Sequence, residues 1–203
     1  MKKETKKFLK SISFFAIIQP LVFAIIKYLQ NNYHTLVLPI DNMISFMPYY
    51  VHIYNLFYPF TILSYYYLFK KDEKNFDIGI KAGIISSIIA YIIFLIYPTI
   101  MIRPDISNLN IDSITHFILK MTYYYDTPAL NCFPSLHCTF CFIIIYMTSI
   151  SSKINVKNKI FINTLSALII LTTLFIKQHY FLDVISAFII TSIVTLLLKI
   201  KSK

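Results

Sequence analysis

The chain has 203 residues, of which 57% are hydrophobic and only 14% are charged, and its mean hydropathy is +0.66. Soluble domains average about 25% charged residues, so this composition excludes an ordinary soluble fold and indicates one integral membrane domain over residues 1–203. The formal net charge of +10 does not predict nucleic-acid binding, because the basic residues lie in clusters between apolar segments rather than on one continuous face.

Six apolar segments follow one another along the chain, and each is close to the ~20 residues that a helix needs to cross a bilayer. The segments are residues 11–30, 49–69, 78–98, 136–152, 160–177 and 180–199. The first contains Pro20, and no small-x-small cleavage site follows it, so we interpret it as an uncleaved span. The predicted fold is therefore an all-α bundle of six transmembrane helices.

The basic residues predict the orientation of this bundle. Fifteen of the 19 lysines and arginines lie on one side of a six-span protein, within residues 1–10, 70–81, 153–159 and 199–203. The positive-inside rule places that side, and both termini, in the cytoplasm. The outer side then holds residues 31–48, residues 99–135 and a short turn at 177–180. Within the second of these, residues 111–125 mix apolar and polar side chains and predict a helix lying on the membrane surface.

The chain contains three cysteines, Cys132, Cys138 and Cys141. Their odd number and apolar surroundings argue against a disulfide framework. They do not form the paired CxxC pattern of a metal site, so we expect them to be small buried side chains.

Histidines collect on the outer side of the predicted bundle. All five lie there: His34, His52, His116, His137 and His179. Ionisable groups at or near a membrane span are candidates for function. Because the spans are otherwise nearly free of charge, we predict that the active site lies at the outer membrane face.

Ser135 and His137 begin the fourth predicted span, directly after Pro134. Ser135 is expected to cap this helix, which would place His137 in its first turn. The free N–H groups of a helix N-terminus favour a bound anion such as phosphate. The alternative is an ordinary helix start that carries an interfacial histidine.

His179 and Asp183 are spaced i, i+4, so their side chains can meet on one face of a helix. Asp183 can then accept a hydrogen bond from one ring nitrogen and leave the other free to attack. An aspartate within an apolar span is costly without such a partner. The alternative is a buried pair with a purely structural role.

Two cations are candidates for binding an anion beside these histidines. Arg103 is the only arginine in the chain, and a guanidinium matches phosphate oxygens bidentately. Its alternative role is that of an interfacial arginine whose charge reaches the headgroups. Lys177 precedes His179 by two residues and is either a second anion contact or a lysine at a helix end.

Three segments, taken in order, resemble the signatures of the type-2 phosphatidic acid phosphatase superfamily, and the similar region covers about residues 38–190. The segments are Arg103-Pro104, Pro134-Ser135-Leu136-His137 and His179-x-x-x-Asp183. Leu136, Lys177 and the segment at 38–41 are most similar to the branch that includes inositol phosphorylceramide synthase-like proteins.

The resemblance implies a role for each candidate residue. His179 is expected to be the nucleophile that forms a phosphohistidine, with Asp183 orienting its ring. His137 is expected to protonate the leaving alcohol and then to activate the acceptor. Arg103 and Ser135 are expected to hold the phosphate. The resemblance implies no metal and no other cofactor.

Three positions depart from the signatures of the superfamily. Ile96 stands where a lysine is usual, Leu136 where a glycine is usual, and Thr173 where an arginine is usual. The predicted phosphate site is therefore poorer in cations than that of a standard member, and Lys177 is expected to compensate.

We therefore predict a membrane lipid-phosphate phosphatase that acts through a phosphohistidine at the outer leaflet, with the lipid and the oligomeric state left open. The alternative enzyme is a lipid phosphotransferase of the inositol phosphorylceramide synthase type, which would use the same residues but exclude water from an acceptor pocket. A non-catalytic transporter or scaffold is disfavoured, because the polar residues collect on one face instead of along a path between the two.

Overall fold

The computed structural model describes residues 3–201, and side chains from residue 5 onward. Within that range the regular structure is helical. The helices are α1 (Lys3–Ser13), a π-helical stretch (Phe14–Ile18), α2 (Gln19–Tyr28), α3 (Pro39–Met43), a 3₁₀ turn (Pro48–Tyr50), α4 (Val51–Tyr54), α5 (Phe57–Lys71), α6 (Glu73–Ile96), α7 (Ser113–Tyr125), α8 (Leu136–Ile150), α9 (Val156–Phe175) and α10 (Phe181–Lys201). The predicted all-α class is confirmed.

Four helices of the described chain are long and apolar enough to span a membrane. They are Thr5–Tyr28, Glu73–Ile96, Val156–Phe175 and Phe181–Lys201. The other two predicted spans are shorter, because α5 and α8 have 15 residues each. Fifteen helical residues rise about 22 Å, less than the ~30 Å of a bilayer core. The count of six spans therefore stays a prediction, whereas the apolar helices fit a membrane protein.

Polar residues between the apolar segments fix where the helices begin. The side chains of Asp72, Asp112, Ser135 and Asn155 each accept a hydrogen bond from the backbone N–H three residues later, at the starts of α6, α7, α8 and α9. Such side chains satisfy N–H groups that have no partner within the helix. The predicted cap at Ser135 is confirmed, with 3.2 Å between its Oγ and the backbone nitrogen of Cys138.

Helix α8 lies in the middle of the core and packs against α5, α6, α9 and α10. Cys138, Cys141, Ile143 and Met147 are buried on it, and both cysteines are free thiols, as expected from their apolar surroundings. Because α8 is surrounded by helices, a residue at its first turn is held firmly by its neighbours.

The N-terminal helix, composed of α1, the π-helical stretch and α2, lies at the edge of this core. A Cβ added to Gly83 of α6 would lie only 2.9 Å from Cζ of Phe15, so glycine allows the close approach of the two helices. Lys7 Nζ also pairs with Glu73 at 2.6 Å and Asp77 at 2.8 Å. Exposed ion pairs contribute little, so apolar packing holds most of this helix.

Connections on the predicted outer side run beside one another. The isolated bridge His34–Thr99 joins the two long connections, and the bridge Ile100–Leu130 joins the start of the second connection to its end. Helix α7 confirms a helix within residues 111–125, and its exposed apolar side chains include Ile114 and Phe117. That this helix lies on a membrane surface stays a prediction.

Candidate active site

The two candidate catalytic histidines lie side by side. His137 occupies the second position of α8, and His179 lies in the turn between α9 and α10, with 5.8 Å between the two ring centroids. The sequence predicted a tight turn near 177–180, and the structure has it. The backbone carbonyl of Thr173 accepts hydrogen bonds from the N–H groups of Gln178 and His179, at 2.8 and 3.1 Å, which fixes the turn.

His179 and Asp183 meet as predicted, but not along one helix. Nδ1 of His179 lies 3.2 Å from Oδ2 of Asp183, while α10 begins only at Phe181. The carboxylate turns back toward the turn and also accepts the backbone N–H of Tyr180 at 2.9 Å. This contact fixes the ring nitrogen that faces the carboxylate. Nε2 is then the nitrogen available for attack.

His137 is held by aromatic side chains from α4 and α5. Its Nε2 lies 3.2 Å from the hydroxyl of Tyr54, and its ring centroid is 4.5 Å from that of Phe57. No local pattern marks this role for Tyr54, which is one aromatic residue among many within a predicted membrane span. Its hydroxyl can orient the His137 ring and exchange a proton with it.

Arg103 reaches the site through another side chain. Its guanidinium donates to the carboxylate of Asp126, to the carbonyls of Tyr123 and Asp126 and to Oε1 of Gln178, and it stacks 4.6 Å from the Tyr123 ring centroid. Gln178 directly precedes His179. The arginine is therefore connected to the histidines through Gln178.

Lys177 has a different environment from the predicted one. Its Nζ donates to the backbone carbonyls of Asp41 and Ile44, at 2.9 and 2.6 Å, so its ammonium lies against the first outer connection. Partial burial there lowers the pKa of Lys177 below its usual value. Its predicted contact with phosphate stays a prediction.

Asp41 supports the same turn, a role that the sequence did not reveal. Its Oδ2 accepts the backbone N–H of Leu38 at 2.8 Å, and its Oδ1 accepts that of Phe181 at 2.7 Å. The second bond lies at the first residue of α10, so Asp41 fastens residues 38–41 to the helix that carries Asp183. A local reading of the sequence cannot find a contact across 140 positions.

The histidines open on a cavity of about 590 Å³. Its polar end is lined by Asp126, Asn131, His137, Gln178 and His179, and its apolar walls come from the N-terminal helix and α5. The wall residues include Ile12, Phe15, Ala16, Phe23, Phe57 and Ile62. Such a cavity suits a ligand with a polar head and an apolar tail.

Three predicted phosphate ligands, Arg103, Ser135 and Lys177, do not line this cavity in the described structure. Ser135 is buried beneath His137 as the cap of α8. The described residues also bring together no group of three or more histidine, cysteine or acidic side chains able to hold a metal ion. A metal-free reaction stays a prediction.

At the positions where cations are usual, the described side chains serve other purposes. Ile96 ends α6 with most of its surface exposed. Thr173 is buried in α9, where its hydroxyl bonds to the carbonyl of Ile170 at 2.7 Å. These two positions add no charge to the cavity.

The model of the PAP2 superfamily matches residues 31–197, which is most of the chain and includes both histidines and Asp183. Members of this superfamily are generally phosphoesterases, and the match does not distinguish among its branches. No curated protein and no solved structure gives a significant match to the chain. With all three signatures inside the matched region, the chain belongs to the PAP2 superfamily.

Proposed function

We propose that this protein is a lipid-phosphate phosphatase that acts through a phosphohistidine intermediate at the outer leaflet of a membrane. The observation that carries the proposal is the pair of histidines at the polar end of an apolar-walled cavity. His179 is held through Nδ1 by Asp183, and the ring of His137 lies 5.8 Å away. A nucleophile oriented by a carboxylate beside a second acid–base group suits a two-step transfer.

In the first step, Nε2 of His179 attacks phosphorus and the bond from phosphorus to the alcohol oxygen breaks. A protonated His137 gives its proton to that oxygen, so the alcohol leaves neutral. In the second step, His137 takes a proton from water as the water oxygen attacks phosphorus and the bond from phosphorus to Nε2 of His179 breaks. Inorganic phosphate leaves, and both histidines return to their starting states.

The cavity walls support a lipid as the substrate. Side chains from the N-terminal helix and α5 line the space beside the histidines, and they are mostly aliphatic or aromatic. An apolar wall can replace the contacts that a hydrocarbon chain makes with lipid tails in the bilayer, so the chain can enter the cavity without meeting water. A soluble phosphate ester would gain nothing from these walls.

The decisive experiment incubates the purified protein separately with phosphatidic acid, a polyprenyl diphosphate and a phosphodiester lipid, and measures released phosphate and new lipid products together. Release of phosphate, with a labelled phosphohistidine that is lost in His179→Ala, is expected. His116→Ala, on α7, is the matched histidine control. A new phospholipid without released phosphate would identify a transferase instead, and complete loss of activity in EDTA would contradict the metal-free mechanism.

A further inference from the structure

Two amide side chains at the polar end of the cavity bury polar atoms without hydrogen-bond partners in the described structure. Asn131 is 4% exposed, and both Oδ1 and Nδ2 lack partners; Gln178 is 2% exposed, and its Nε2 lacks one. Buried polar atoms are nearly always paired in folded proteins, and an exception requires an explanation. Both residues line the cavity with His137 and His179.

The orientation of the Gln178 amide follows from its partner. A guanidinium has only N–H donors, so the atom that faces Arg103 has to be the oxygen Oε1. The amide nitrogen therefore points away from Arg103, with two donors free. Arg103 in turn is held by Asp126 and by stacking on Tyr123, so the amide rests on a fixed support.

The position of Asn131 is set by its backbone. Its φ of 57° lies in the left-handed region, which asparagine adopts more readily than most residues. Its N–H donates to the carbonyl of Thr99 at 2.7 Å, which ties the residue to the beginning of the same outer connection, just after α6. The unpaired amide thus lies in an ordered turn, four residues before the cap at Ser135.

We propose that Asn131 and Gln178 form a neutral amide clamp for the phosphoryl oxygens at His179, and that Arg103 is a positioning residue that acts through Gln178. This inference rests on the proposed function and deepens it. Fixed donors aimed at developing negative charge stabilise a transition state. Ile96 and Thr173 leave the cavity without the usual cations, and the two amides supply donors in their place.

The test measures binding of inorganic phosphate and of orthovanadate to the purified full-length chain, together with kcat and KM for the lipid phosphate that it hydrolyses. Gln178→Met keeps the length of the side chain and removes its donors. Asn131→Gly removes the amide of Asn131, and glycine tolerates the left-handed backbone there. Each is expected to weaken phosphate binding by about tenfold and to lower kcat by on the order of a hundredfold. Asn110→Gly, at an exposed loop position, is the matched control and should behave as wild type.

A double-mutant cycle tests the role of Arg103. If the arginine acts through Gln178, the double variant Arg103→Met/Gln178→Met should lose no more activity than Gln178→Met alone. If the activity losses of the two single variants multiply in the double variant, Arg103 binds phosphate directly and its positioning role is overturned. Thermal unfolding verifies that each variant is folded, and the single amide variants decide the clamp even if Arg103→Met does not fold.

The outcomes separate the two proposals. If Gln178→Met and Asn131→Gly bind both anions and hydrolyse lipid phosphate as wild type does, the clamp is overturned and the proposed function stays intact. A wild-type protein that binds neither anion and hydrolyses no lipid phosphate would overturn the function and, with it, the clamp. Loss of anion binding and kcat in both amide variants, with normal unfolding temperatures, supports the clamp.

Discussion

The backbone N–H of Ser135 donates a hydrogen bond to the carbonyl of Asp183, with 3.1 Å between nitrogen and oxygen. This bond joins the start of α8 to the first turn of α10. Since His137 follows Ser135 by two residues and Asp183 holds His179, this one backbone contact links the segments that carry the two proposed catalytic histidines. The site is therefore defined by helix ends, which are fixed by main-chain bonds and caps.

Replacing His137 should affect substrates according to their leaving groups. His137→Gln is expected to lower kcat for lipid phosphates by about 10²- to 10⁴-fold, because the alcohol would have to leave as an alkoxide. A nitrophenyl phosphate needs no proton on its leaving oxygen, so its first step should change far less. The measurement is the initial burst of nitrophenol beside lipid turnover; equal losses for both substrates would show that His137 is not the acid.

Asp183→Asn separates catalysis from folding. An amide oxygen can still accept the N–H of Tyr180, so the unfolding temperature should remain close to that of wild type. The neutral amide no longer stabilises positive charge on His179, and kcat is expected to fall by on the order of 10²- to 10⁴-fold. Asp183→Ala should also lower the free energy of unfolding by about 1–3 kcal/mol. Wild-type kcat in the asparagine variant would leave the carboxylate a structural role only.

A larger side chain on the N-terminal helix should select against long lipids. Ala16 lines the cavity, whereas its neighbour Ile17 is 58% exposed and does not. Ala16→Phe is expected to raise KM for a long-chain lipid phosphate by about tenfold and to leave a short-chain substrate unaffected. Ile17→Phe is the control, and equal effects from both variants would contradict a chain-binding wall.

The orientation in the membrane can be tested with single cysteines, since the three native ones are buried. Asn108 and Lys74 are exposed, and the six-span topology places them on opposite sides. In intact cells, Asn108→Cys should react with an impermeant maleimide and Lys74→Cys should not react until the membrane is opened. Labelling of Lys74→Cys from outside would reverse the predicted orientation.

Local signals in the sequence were sufficient for part of the site. Ser135 was identified as a helix cap because a cap needs only its own segment, and the spacing of His179 and Asp183 correctly paired them. Their contact does not run along one helix, because His179 lies in the turn before α10 and the Asp183 carboxylate reaches back to it from the helix. Spacing restricts which side chains can meet but does not decide the backbone between them.

Other features depended on contacts between distant segments. Lys177 was expected near phosphate from its place beside His179, yet its ammonium is taken by carbonyls more than 130 residues earlier. Tyr54 and Gln178 carry no charge, and no role was predicted for either, so only the assembled structure shows what they contact beside the histidines. The apolar wall from the N-terminal helix was likewise invisible before packing.

The N-terminal helix lies before residue 31, where the match to the superfamily begins, yet it forms one wall of the cavity beside the histidines. For the proposed lipid substrate, recognition of the tail and chemistry at the head would therefore reside in separable parts of the chain. Substitutions at Ile12 or Phe23 can retune lipid length without touching Ser135, His137 or His179. Relatives that share the same reaction can accordingly differ in the chain length that they prefer. Exchanging the N-terminal helix between two of them should transfer that preference.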